Sequence, residues 1–146
     1  MITKNNLARF IEAQKGIYEL ALKEIKNGNK TGHWMWFIFP QIDGLGFSER
    51  STFYAIKNKS EAQEYVNHDI LGKRLIEIST ELLNLHTGKP GEVFGQIDSL
   101  KLQSSMTLFS LLKHPNPVFQ KVLDKYFDGM KDERTIQLIK ENEGES

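Results

Sequence analysis

Apolar residues recur at three- and four-residue steps along almost the whole chain, the spacing of amphipathic helices. Leu7, Phe10, Ile11, Tyr18, Leu22 and Ile25 form one such stripe. Asn5 or Asn6 can cap its start, and Gly28 can end it in a left-handed turn. The segment His33–Gln41 is apolar on every face, so periodicity alone does not separate a buried strand from a short buried helix. The helical pattern around it selects helix. Asp43–Gly46 reads as a loop. Ser48 reads as the cap of a helix through Phe53, Tyr54 and Ile56, and Ser60 as the cap of another with Ala62, Tyr65 and Val66 inward.

A longer helix is predicted from about Asp69 to His86, with Leu71, Leu75, Ile78, Leu82 and Leu85 on one face. Gly88–Gly91 is turn chemistry, followed by a single helical turn around Glu92–Phe94 before Gly95. Asp98 reads as the N-cap of a helix Ser99–Leu112 that buries Leu102, Met106 and Phe109. Asn116 as cap with Pro117 at the first helical position starts the next helix, which buries Phe119, Val122, Leu123 and Tyr126 and ends at Gly129. Asp132 caps a last helix carrying Ile136 and Ile139. The expectation is an all-α protein. It would form a single compact orthogonal domain of about seven short helices over residues 1–146, its core at about 5–140 and its tail frayed over 141–146.

Composition narrows the chemistry. With 146 residues, 39% of them hydrophobic, the chain can bury a core without cross-links, and with no cysteine it has to. Disulfide scaffolds, Cys-based zinc or iron–sulfur centres and thiol nucleophiles are excluded. Lys+Arg and Asp+Glu are both 19, so the net charge is zero, which argues against nucleic acid as the main partner. Charge is uneven along the chain: residues 1–32 hold six basic and three acidic side chains, and residues 128–146 hold three and six. Solvated faces account for this, and so does a basic first helix facing an anionic partner. No apolar run approaches the roughly 20 residues of a membrane span. The opening residues lack a secretory pattern, so the expected location is cytoplasmic.

Glycine-rich phosphate loops, GxSxG elbows, HExxH pairs and EF-hand loops are absent from the sequence. His33, His68, His86 and His114 do not pair at ligand spacing, so no metal site and no cofactor is expected. Two segments stand out. In His33–Gln41, followed by Gly44-Leu45-Gly46, Trp34, Met35, Phe37 and Ile38 read as core. His33, Trp36 and Gln41 read equally as satisfied flanks of that core or as an aromatic wall with directional hydrogen bonds for a planar ligand. Gly44 and Gly46 would let backbone approach such a ligand, or simply make a tight turn. In the second segment, Asp98, Lys101, Ser104 and Ser105 share one side of a helix near its N-terminus, a setting that suits a phosphate or carboxylate. The alternative there is a capping Asp98, a solvated Lys101 and serines that allow close packing.

These two segments also carry a resemblance. His33–Gln41 with Gly44-Leu45-Gly46, then Tyr54-Ala55-Ile56, the run His68–Leu75, and Asp98-xx-Lys101-xx-Ser104-Ser105-Met106-Thr107-Leu108-Phe109 resemble, in order and spacing, the domain of unknown function 1810 family. That family consists of small, mostly bacterial proteins, sometimes mislabelled calpastatin. The resemblance runs from about Leu7 to Leu138. One departure is Asp69, where family members usually have proline after the histidine. The resemblance implies an all-helical domain and no known activity. Calpastatin-type inhibitors are disordered, whereas this chain is patterned to fold. The order of elements is also similar to that of proteins acting on ADP-ribose and related N-glycosides, an analogy at the level of fold.

Together these readings give one leading expectation: a monomer that binds a small anionic, nucleotide-like ligand, ADP-ribose or NAD derived. Its pocket would be made by His33, Trp36, Gln41, Gly44, Gly46, Lys101, Ser104 and Ser105, with Asp98 as candidate general base or ribose-hydroxyl acceptor. Whether it is an enzyme is left open. The alternative is a protein-interaction module without catalytic activity, anchored by Trp34 or Trp36.

Overall fold

The computed structural model of the protein describes residues 6–144. Among them are nine helices and no strand: α1 Ala8–Gln14, α2 Tyr18–Lys26, α3 Met35–Ile38, α4 Glu49–Phe53, α5 Lys59–Asn67, α6 Leu71–Asn84, α7 Pro90–Ser110, α8 Pro117–Phe127 and α9 Glu133–Gly144. The all-α reading holds. The closing helix continues past Lys140, and residues 145–146 lie outside the described range.

Three caps stand where side-chain chemistry puts them. Ser48 Oγ accepts from the Ser51 N–H at 3.1 Å, Asn116 Oδ1 from Val118 N–H at 2.9 Å, and Asp132 Oδ2 from Thr135 N–H at 3.0 Å. Elsewhere the helix starts differ from expectation. The first stripe is two helices, because Gly16 adopts φ +70 and breaks it between Gln14 and Tyr18. α1 starts after Leu7 with no side-chain cap, and Asn5 lies outside the described residues. Asn58, not Ser60, caps α5, accepting from Glu61 N–H at 2.9 Å. Asp98 is not a cap either. The helix it was expected to start already begins at Pro90, and a kink at Gly95 (φ +77) leaves Asp98 inside the stretch beyond the bend.

One cluster of buried side chains draws on α1–α3 and α5–α9, with Phe10, Trp34, Phe39, Tyr65, Phe109 and Phe119 at its centre. α7 packs on α8, α9 and α5, while α6 packs on α8, α2 and α5. Gly72 on α6 allows the closest approach. A Cβ there would sit 1.9 Å from the Val66 carbonyl oxygen at the end of α5. Arg9, one of the cations that make the N-terminal stretch basic, turns inward. Its guanidinium meets the Glu61 carboxylate at 3.1 and 3.2 Å and donates to the carbonyls of Phe53 and Ala55, both at 2.8 Å. That pair ties α1 to α5 and to the end of α4, and it leaves no solvent-facing arginine on α1.

Two features of the loop between α2 and α3 fix the course of the neighbouring helices. The loop wraps around Glu24, whose Oε1 accepts from Thr31 N–H at 2.7 Å, Gly32 N–H at 2.8 Å and the Trp34 indole at 3.0 Å. Burial acts to raise the Glu24 pKa, but these donors outweigh it and hold the carboxyl below its ordinary value. Lys30, in the same loop, spans the kink of α7. Its N–H donates to Val93 O at 2.8 Å on one side, and its ammonium meets Asp98 at 2.6 Å on the other.

Candidate functional site

α3 is short because Pro40 follows its C-cap residue Phe39 and holds that residue out of the helical conformation, and the chain then turns into a loop held by a parallel bridge between Ile42 and Ile56. Ile56 N–H donates to Gln41 O and Asp43 N–H to Ile56 O, both at 2.8 Å. Trp36 on α3 and Gln41 in the loop are thereby fixed beside the second half of α7 and the start of α9. Between them lies an open groove of about 460 Å³, lined by Trp36, Gln41, Leu45–Ser48, Ser51, Ile97, Leu100, Lys101, Gln103, Ser104, Asp132 and Arg134. A recess of about 20 Å³ shares Trp36, Gln41, Leu45, Gly46 and Ser51 with it and adds Ile42, Gly44, Tyr54 and Ala55.

Five of the expected ligand-binding residues therefore converge on one groove: Trp36, Gln41, Gly46, Lys101 and Ser104. Gly44 belongs to the recess, where Leu138 of α9 would lie 2.8 Å from an added Cβ. His33 and Ser105 are placed elsewhere. His33 is exposed ahead of α3 and lines neither cavity, because α3 turns its first residues toward the core. Ser105 is fully buried on the inner side of α7. The one-sided helical face expected for Lys101, Ser104 and Ser105 is wide enough to straddle groove and core. Asp98 also lies off the groove, held between Lys30 at 2.6 Å and Lys101 at 3.5 Å. Its carboxylate positions lysines.

The electrostatics of the groove centre on Trp36. Lys101 Nζ lies 4.5 Å from the centre of its ring, and Arg50, which is outside the groove, lies 5.4 Å away. A cation over an indole face gains from the ring quadrupole. Ser104 Oγ is already engaged with Leu100 O and Asp132 Oδ2, each at 3.1 Å. Asp132 is in turn committed to Ser104 and to both the N–H and hydroxyl of Thr135. The Gln41 side-chain amide, by contrast, makes no hydrogen bond to protein among the described residues. The groove thus offers the Gln41 amide and the cations Lys101 and Arg134, while the Gln103 amide donates to Met130 O at 2.9 Å and the nearby carboxylates are occupied by the fold itself.

Phe47, Ile97, Leu100 and Arg134 line the groove without having been singled out by sequence pattern. Ile97 and Leu100 are apolar residues on the outer face of a helix whose inner face is also apolar, which is the signal available for them. Arg134 carries none, because only the tertiary placement of α9 brings it near. Among the described residues, no group of three or more His, Asp or Glu side chains could hold a metal ion, and no helix is long and apolar enough to cross a membrane.

A protein-family model described as "Protein of unknown function (DUF1810)" matches residues 4–139. The crystal structure of the conserved hypothetical protein Rv1873 from Mycobacterium tuberculosis is similar, with a TM-score of 0.90 and 43% sequence identity over 92% of this chain and 96% of that one. No curated protein is significantly similar to the chain.

Proposed function

The chain belongs to the DUF1810 family of proteins of unknown function, and for this member we propose binding of a small anionic, nucleotide-like ligand, ADP-ribose or NAD derived, in the groove between α3, α7 and α9. The observation that carries the reading is convergence. Two segments some sixty residues apart bring an aromatic wall (Trp36), an amide without a partner among the described residues (Gln41) and an ammonium (Lys101) to one open groove. Lys101 and Arg134 meet the phosphates, the Gln41 amide reads a polar edge, and Gly46 lets backbone come close. Ser104 serves by holding Asp132 in its cap, with the carboxylate turned onto the first turn of α9. The protein acts as a monomer in a reducing, cytoplasmic setting, to which a chain without cysteine is suited.

Titration calorimetry with ADP-ribose, NAD and AMP tests this. The parent binds at least one of them. Lys101→Ala weakens that binding by about 1.5–3 kcal/mol, the worth of a hydrogen bond to a charged group, with little change in melting temperature, because an i,i+3 ion pair contributes only about 0.2–0.5 kcal/mol to a helix. Gln41→Ala weakens it by about 0.5–1.5 kcal/mol, the worth of one hydrogen bond. A parent that binds none of the three overturns the reading.

A further inference from the structure

We infer that the ligand enters this groove with its phosphate inward, on Lys101 in front of Trp36, and its ring outward, on an apolar platform of Phe47, Ile97 and Leu100. This rests on the groove being a nucleotide site and adds the orientation and a specificity-determining residue, Phe47.

One face of the indole is already taken: the Lys101 ammonium lies 4.5 Å from the centre of the Trp36 ring and lines the same groove. Arg50 lies near the same ring from outside the groove. The inner part of the groove is therefore a cationic surface backed by an aromatic one, which suits an anion better than a base.

The outer part has the opposite character. Phe47 is 92% exposed, Ile97 73% and Leu100 60%. A single exposed apolar side chain is ordinary, but three along one groove form a patch that favours an apolar or aromatic occupant. Phe47 is also held for the role. Gly46 before it sits so close to Ser51 that an added Cβ would lie 2.7 Å from the hydroxyl oxygen, and Ser48 after it caps α4. Close packing thus precedes Phe47 and a helix cap follows it, while its ring projects into solvent. Charge agrees: Asp98 is paired with Lys30 and Lys101, and Asp132 is turned into the cap of α9, whereas among the described residues Arg134 meets only the Gln137 amide, at 3.4 Å. An occupant with an anionic end and a planar ring, a nucleoside phosphate, matches both halves.

Calorimetry with AMP and ADP on the parent, Phe47→Ala and Lys101→Ala tests the orientation. Base–aromatic stacking predicts that Phe47→Ala weakens AMP and ADP by the same factor, on the order of tenfold, and keeps their ratio. Lys101→Ala reduces the preference for ADP over AMP. Phe47 is so exposed that its variant keeps the parent's melting temperature. If Lys101→Ala weakens both ligands while Phe47→Ala leaves them within twofold, the orientation falls and the nucleotide groove stands. If the parent binds neither at millimolar concentration, the orientation falls, and the nucleotide groove falls with it when ADP-ribose and NAD fail to bind as well. If the parent self-associates in sedimentation velocity and Phe47→Ala abolishes this, the platform belongs to a second copy and the orientation is overturned.

Discussion

The Lys30 ammonium lies 2.6 Å from the Asp98 carboxylate, with the lysine side chain 6% exposed and the aspartate 20%. This pair joins the loop after α2 to the part of α7 that carries Lys101. Removing one partner leaves a nearly buried charge without its counterpart. Asp98→Ala is therefore expected to lower stability by about 1.5–3 kcal/mol, the range for a hydrogen bond to a charged group. Urea denaturation measures it, and a change below about 0.5 kcal/mol would mean that the pair contributes no more than a surface one.

Gly72→Ala places a methyl group 1.9 Å from the Val66 carbonyl oxygen, and backbone cannot swing aside as a flexible side chain does. α5 and α6 have to separate. The expected loss is about 1–3 kcal/mol or more. A thermal melt coinciding with the parent's would show that the two helices relax freely at this crossing.

Ser105 offers a test in the other direction. Its hydroxyl is buried and has no hydrogen-bond partner among the described residues. Ser105→Ala removes an unsatisfied polar atom and places the best helix former in α7. Stability is expected to stay level or rise by up to about 1 kcal/mol. Ligand binding should be untouched, since the residue does not line the groove. Weakened binding at unchanged stability would put Ser105 back into the site.

Glu24 predicts a pH dependence. Its carboxyl is held below the ordinary value of 4.5, so the folded state favours the charged form. That contribution is fully present above the unfolded pKa and is lost as pH falls through the folded one. Stability of the parent should fall more steeply than that of Glu24→Gln as pH drops from 4.5 downward. Parallel curves between about pH 5 and 3 would contradict the assignment.

Local chemistry makes much of the fold legible. Ser48, Asn116 and Asp132 cap where the sequence pattern places them, because a short polar side chain before an apolar stripe has one economical use. The break at Gly16 is not legible in this way, since the apolar stripe continues in register across it and only the backbone turns. Asp98 looks like a cap for the same local reason that makes the others correct. What changes its role is Lys30, a residue whose proximity no spacing rule encodes. The groove divides the same way. Trp36, Gln41, Gly46 and Lys101 lie in the two unusual segments and can be singled out. Phe47, one residue beyond the first of these segments, and Arg134, far from both, become part of the groove only through packing.

The kink at Gly95 has a bearing on how such a groove could be moved or remodelled. Lys30 grips α7 on both sides of the bend, through its backbone at Val93 and its ammonium at Asp98. The direction of the helix beyond the bend is thus set by a loop far upstream. A transplant of residues 96–104 into a foreign helical scaffold would carry Lys101 and Leu100 without the angle that aims them. A working graft would need the 29–34 loop as well, with Glu24 to hold it in shape.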